Sequence, residues 1–174
     1  NILSKKAVDI GWVEKDGKRY FYNGASQRLG DETTKKVMDI SEHQGYISNW
    51  EGIIKDNDID AVIVRIGYSG AEDKHLAHNI SELNRLGVPY GIYLYTYAST
   101  EADGVEDAEQ TLALIKKYNI KPTYPIYFDL EDWRYTHGAK SAPTDTTTWV
   151  KIWKAYRDTM AKAGYTNVRI YSYQ

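Results

Sequence analysis

Apolar residues recur along this chain in two rhythms. From residue 37 onward, short continuous apolar runs alternate with longer stretches in which apolar positions return every three to four residues. The runs at 37–40, 61–67, 90–97, 124–130 and 168–173 predict five strands. The second, Ala-Val-Ile-Val-Arg-Ile-Gly, is apolar on both faces, and unbroken runs of this kind point to a parallel sheet covered on both sides. The stretches at 50–55, 74–86, 102–118 and 147–163 predict helices. Gly87 and Gly164 supply helix stops, and Thr100 followed three residues later by Asp103 supplies a capping box. The order βαβαβαβαβ implies an α/β fold, either an open doubly wound sheet or part of a barrel, and the pattern leaves both open.

Residues 1–35 follow neither rhythm. Gly11-Trp12-Val13 and Arg19-Tyr20-Phe21-Tyr22 flank Asp16-Gly17, which predicts a small β-hairpin. A lone hairpin is marginal in water and must pack on something. Residues 30–36 are polar and read as a linker. The expected organisation is therefore a hairpin and linker over 1–35 and an α/β domain over 36–174.

Composition narrows the function. With 174 residues, 42% of them hydrophobic, the chain can bury one sizeable core and carry a small appendage. No apolar run approaches the ~18–20 residues that a bilayer requires. Twenty-two basic and 24 acidic side chains give a net charge of −2, which argues against a nucleic-acid partner or a basic membrane anchor. The absence of cysteine excludes disulfides, thiolate zinc sites and cysteine nucleophiles. The start at Asn1, without Met or a signal peptide, reads as a mature or excised fragment. Sixteen Tyr and five Trp against two Phe favour side chains with a flat apolar face and a polar tip, which suit sugar rings as well as half-buried positions.

The chemistry concentrates at strand ends. The fourth strand runs into Asp129-Leu130-Glu131-Asp132-Trp133. Sites in parallel α/β folds form beyond the carboxyl ends of strands. If the extended conformation persists, Asp129 and Glu131 share one face, with Cα atoms roughly 6.6 Å apart at ~3.3 Å per residue. Paired carboxylates raise each other's cost of ionisation, so one can hold a proton while its neighbour stays charged. Asp39 ends the first strand in Asp39-Ile40-Ser41-Glu42-His43-Gln44-Gly45, where Ser41 and Gln44 could position it or a substrate hydroxyl. Arg65, inside an apolar strand, needs a buried partner, and a structural salt bridge is the preferred reading. The bland alternatives are a solvated acidic loop after the fourth strand and a loop cap at Asp39.

Asp39-Ile40-Ser41-Glu42-His43-Gln44-Gly45 with Trp50 resembles the opening motif of the family 25 glycoside hydrolases, the lysozyme-like muramidases. Tyr127-Phe128-Asp129-Leu130-Glu131 resembles that family's Asp-x-Glu strand, and residues 62–67 and 90–95 are similar to its second and third strands. The resemblance runs from about Val37 to Gln174. It implies a TIM-like (β/α) barrel and hydrolysis of the β-1,4 bond between N-acetylmuramic acid and N-acetylglucosamine in bacterial peptidoglycan. Glu131 would be the proton donor. Asp129 would stabilise charge at the sugar or orient its 2-acetamido group, and Asp39 would tune the pair. Tyr95, Tyr97, Trp133, Tyr171 and Gln44 would contact substrate. No cofactor and no metal are implied, and the setting would be extracellular and associated with the cell wall.

The family barrel has eight strands against the five visible here, and a further acid near its last strand has no counterpart. The barrel is therefore expected to be incomplete, or its open apolar edge to be covered by a partner chain. The hairpin resembles one aromatic repeat of cell-wall-binding modules. Two other readings stay open. A non-catalytic glycan-binding module would keep the aromatics. A metal-dependent hydrolase would use Asp39, His43, Asp129 and Glu131 as ligands, with His75 and His78 as a further pair on one helix.

Overall fold

The structure, a computed structural model of the chain, describes residues 9–133 and 138–172. It divides into two compact units, residues 1–36 and 37–174. The first is a three-stranded antiparallel sheet of β1 (Gly11–Lys15), β2 (Lys18–Tyr22) and β3 (Arg28–Asp31). Asp16 and Gly17 both take positive φ, 52° and 72°, as the tight turn between twisted strands requires. The third strand falls partly on the polar stretch expected to be linker. It is held by Asp31, whose backbone N–H donates to Thr34 Oγ1 and whose carboxylate accepts from Thr33. Cations cover three aromatic faces of this sheet: Arg19 over Trp12, Lys15 over Tyr22 and Arg28 over Tyr20.

The second unit is α/β. In chain order it comprises β4 (Val37–Ile40), a 3-10 turn at Glu42–Gln44, α1 (Trp50–Asp56), β5 (Ala61–Tyr68), β6 (Ala71–Glu72), α2 (Leu76–Leu86), β7 (Tyr90–Tyr95), α3 (Glu101–Lys117), β8 (Ile126–Asp129), α4 (Thr146–Lys162) and β9 (Val168–Tyr171). The five long strands run parallel in the order β4-β5-β7-β8-β9. Among the described residues they form an open sheet. The short β6, which no apolar run announces, pairs antiparallel with the end of β5. It closes so tightly that a Cβ at Gly67 would lie 2.1 Å from the Ala71 carbonyl oxygen.

The helices follow their local signals. Thr100 and Asp103 form both halves of the expected capping box on α3. Gly87 ends α2 in the left-handed conformation, φ 66°. The start of α4 is fixed by Asp145, whose Oδ1 accepts the Thr148 N–H at 2.8 Å. α3 and α4 pack together where Gly104 leaves no room for a side chain; a Cβ there would lie 2.6 Å from the Ile152 carbonyl oxygen. Thr111 Oγ1 and the Tyr156 hydroxyl, both buried, meet across the same pair at 3.0 Å.

Alternation along the strands sorts the sheet into two faces. Val62, Val64, Ile66, Ile92, Leu94, Ile126 and Phe128 are at most 3% exposed and join the helices in one apolar core. Phe128 stacks on Tyr156 with centroids 4.0 Å apart. The opposite face is not the second apolar layer that unbroken runs suggest. It presents Asp39, Tyr93, Tyr127 and Asp129 to a cavity. Hydropathy conceals this, because tyrosine counts as apolar in a run and as polar at its tip. No described helix is long and apolar enough to cross a membrane.

Candidate active site

Parallel pairing brings the acidic strand ends together. Asp39 on β4 stands beside Ile63 on β5, Arg65 beside Tyr93 on β7, and Tyr95 beside Asp129 on β8. Partners in parallel register point to the same face, so these side chains share one surface. Asp39, Ile63, Tyr93 and Asp129 border a cavity of about 270 Å³, together with Val37, Tyr127 and Tyr171.

Asp129 is the most buried acid of this surface, at 6% exposed. β8 ends on it, and Glu131 lies two residues further on, just past the strand. Burial is the main force raising the Asp129 carboxyl above the ordinary Asp range. The Glu131 charge, the hydrogen bond with Glu131 and the more distant Asp39 charge act in the same direction, and Arg65 opposes them. The Asp129 carboxyl therefore keeps its proton to higher pH than a free Asp would. Asp129 Oδ1 is buried without a hydrogen-bond partner, which leaves an acceptor free at the centre of the site. Asp39 is also pushed up by partial burial, against the Ile40 N–H, the Arg65 charge and a hydrogen bond from Tyr93.

Arg65 has the buried partner its position demands. Its Nε donates to Asp73 Oδ2 at 2.9 Å, its Nη2 lies 3.2 Å from Glu42 Oε1, and its Nη1 lies 3.4 Å from His43 Nε2. Asp73 also accepts the Glu42 N–H at 2.8 Å and the His75 N–H at 3.0 Å. The guanidinium thus acts on Asp39 and Asp129 from the site side while it pairs with a second set of carboxylates that ties down the turn after Asp39. Its charge is shared, so it lowers the cost of ionising the site acids without cancelling it.

The other sequence-expected residues fall in several places. Tyr171 lines the cavity and is 51% exposed. Tyr95 and Tyr97 meet edge to face at 5.1 Å, and Tyr97 meets Trp133 likewise at 5.3 Å. Trp133 is 3% exposed, so its ring supports Tyr97 and offers no free face of its own. Gln44 Oε1 accepts the Ser41 N–H at 2.7 Å and completes a capping box with Ser41, so its amide oxygen is used in shaping the turn after Asp39. Tyr93 and Tyr127 line the cavity beside the acids. The sequence reading did not single them out, although each lies two positions before a residue it had chosen, on the same strand face. Among the described residues no group of three or more His, Cys, Asp or Glu side chains is arranged to hold a metal ion.

The family model for the glycosyl hydrolases of family 25 matches residues 38–174. The modular autolysin LytC of Streptococcus pneumoniae, solved in complex with a synthetic peptidoglycan ligand, is 58% identical to this chain with a TM-score of 0.90. That match covers 95% of this chain and 38% of LytC, so the chain spans well under half of that protein. The catalytic domain of endolysin ply40 from bacteriophage P40 of Listeria monocytogenes matches at 24% identity and a TM-score of 0.62, over 82% of this chain and 65% of its own. A family 25 glycosyl hydrolase from Bacillus anthracis matches at 22% and 0.64, over 80% of this chain and 60% of its own. The last two show likeness of fold alone. No curated protein sequence matches this chain.

Proposed function

Because this chain belongs to family 25 of the glycosyl hydrolases, we propose that it cleaves the β-1,4 bond between N-acetylmuramic acid and N-acetylglucosamine in bacterial peptidoglycan, with Glu131 as proton donor and Asp129 assisting. The observation that carries this reading is the buried Asp129 carboxyl at the end of β8, raised by burial and by Glu131 two residues on, on the cavity face that Asp39 also lines.

Glu131, just past the end of β8, delivers a proton to the leaving glycosidic oxygen. Asp129 accepts the N–H of the substrate's 2-acetamido group at its unpartnered oxygen and turns the acetamide oxygen toward the anomeric carbon. That oxygen forms a bond to carbon as the glycosidic bond breaks. Water then opens the cyclic intermediate, and Glu131 takes up the water's proton. This substrate-assisted course needs no enzyme nucleophile on the far side of the sugar, and it suits two acids two residues apart at one strand end. Asp39 and Tyr93 keep the surrounding field negative and polar. Tyr95, Tyr97, Tyr171, Gln44 and Trp133 form or back the substrate surface.

The parallel sheet is an arc of a TIM-like barrel, with its cavity side toward the barrel axis. The N-terminal sheet is a cell-wall-binding-type repeat, supported by its clustered aromatics, and the protein works outside the cell on the wall. The test is loss of turbidity in a cell-wall suspension. Glu131→Gln is expected to slow clearing by about a hundred- to ten-thousand-fold, the range for a lost general acid, while the melting curve stays that of the parent. A variant that clears walls at the parent rate would overturn the assignment.

A further inference from the structure

Asp107, on α3, is an ionisable residue that the reaction above does not use. It is 3% exposed, and burial pushes its carboxyl up to about 6 despite the hydrogen bonds it accepts. A carboxyl in such surroundings destabilises the fold unless its neighbours are arranged around it. Here they are. Asp107 Oδ2 accepts the hydroxyl of Ser69 at 2.9 Å and that of Thr96. Each hydroxyl has one proton, and giving it to Asp107 turns the oxygen's lone pairs elsewhere. Ser69 Oγ accepts the Tyr97 N–H at 2.7 Å, and Thr96 Oγ1 accepts the Ala98 N–H at 2.9 Å.

The segment held in this way lies just beyond β7. It has left the ladder, so its amides need partners from outside the sheet. The surrounding backbone closes the arrangement: Ser69 N donates to the Tyr95 carbonyl at 3.1 Å, and Thr96 N donates to the Asp129 carbonyl at 3.0 Å. The ends of β5, β7 and β8 therefore meet around one carboxylate. Tyr97 carries the result outward through its edge-to-face contacts with Tyr95 and Trp133.

We propose that Asp107 is a positioning residue for glycan binding: acting through Ser69 and Thr96, it fixes the backbone at residues 96–98 and so places the Tyr95 and Tyr97 rings, backed by the buried Trp133, against which substrate sugar rings lie. The assignment rests on the glycan-hydrolase reading of the site. A residue that only props up the fold would change stability and leave the affinity of the folded protein alone. A positioning residue changes KM.

The experiment compares Ser69→Ala and Asp107→Asn with the parent chain, reading steady-state hydrolysis of soluble peptidoglycan fragments and near-ultraviolet circular dichroism. Removing the Ser69 hydroxyl is expected to raise KM about five-fold, the worth of one hydrogen bond, with kcat within about two-fold. The aromatic dichroism should fall as Tyr97 and Trp133 lose their fixed angle. Asp107→Asn keeps one acceptor oxygen and should show a smaller rise in KM. A lower melting temperature with unchanged KM, or a fall in kcat with unchanged KM, would overturn the proposal. If the parent chain itself fails to hydrolyse the fragments, the proposed function fails. Dichroism then decides separately: a Ser69→Ala spectrum identical to the parent's removes the positioning role, and a diminished one retains it.

Discussion

The two faces of the parallel sheet are built from alternate residues of the same strands, yet they answer to different demands. On the helix-covered face, Val64, Ile92, Leu94 and Phe128 are fully buried. Any arrangement of that layer that fills space without leaving voids would serve. On the cavity face, Tyr93, Tyr127, Asp129 and Asp39 occupy the intervening positions. That layer holds a carboxyl above its ordinary range by burial and leaves one of its oxygens without a partner. Stability is concentrated on one side of a single layer of backbone, and strain on the other. A substitution should therefore be judged first by the parity of its position in the strand.

The comparison can be attacked most directly at Phe128. Its replacement by Ala removes the ring that stacks on Tyr156 and opens a void in the covered face. The expected loss is about 3–5 kcal/mol of unfolding free energy, measured by denaturant titration. A loss below about 1 kcal/mol would mean that the two faces do not differ in the way described.

One position further along the chain the sign reverses. A carboxyl whose folded-state pKa is raised binds its proton more tightly in the folded chain than in the unfolded one. Stability then falls as pH rises above the ordinary Asp value of 3.8, until the folded group has itself ionised. Asn has no proton to lose. Asp129→Asn should therefore melt with the parent at pH 3 and above it at neutral pH, by on the order of 1 kcal/mol or more, while hydrolysis is largely lost. Equal melting temperatures at both pH values would show that Asp129 is not held under strain.

The smallest effect is expected at Ile170. It pairs with Phe128 and faces the covered side, but it is 45% exposed because the apolar cover that buries Val168 two residues earlier does not extend over it. Ile170→Thr should alter stability by no more than about 0.5 kcal/mol. A larger cost would mean that the cover over Val168 extends to Ile170 after all.

Much of this was legible in the sequence, and the remainder was hidden for physical reasons. Strand runs, capping residues and the Asp16-Gly17 turn are local signals, and the elements form where those signals stand. Asp39 and Asp129 were singled out because polar residues that end apolar strands are conspicuous. β6 was missed because a two-residue strand carries too little pattern to register, and β3 because Arg-Leu-Gly-Asp holds a single apolar side chain. Tyr93 and Tyr127 were passed over because a tyrosine inside an apolar run looks like core until the empty side of the sheet is known. The salt bridge of Arg65 was expected in kind, but Asp73 and Glu42 lie on separate loops, and only the fold could pair them with it. Asp107 gave no signal, being one acid among several on a polar helix.

The contact at Gly104 bears on how faults in this protein would present themselves. The residue lies one turn before Asp107 on α3, at the point where the helix backbone rests almost directly on that of α4. A methyl group added there has nowhere to go, so the two cylinders must separate, and the carboxylate one turn along must withdraw from the hydroxyls it organises. In a random mutagenesis screen such a lesion would be scored among defects of sugar affinity, although it touches neither sugar nor acid. Positions of this kind make a map of functional hits wider than the cleft itself, and they trace the rigid frame from which the cleft is suspended.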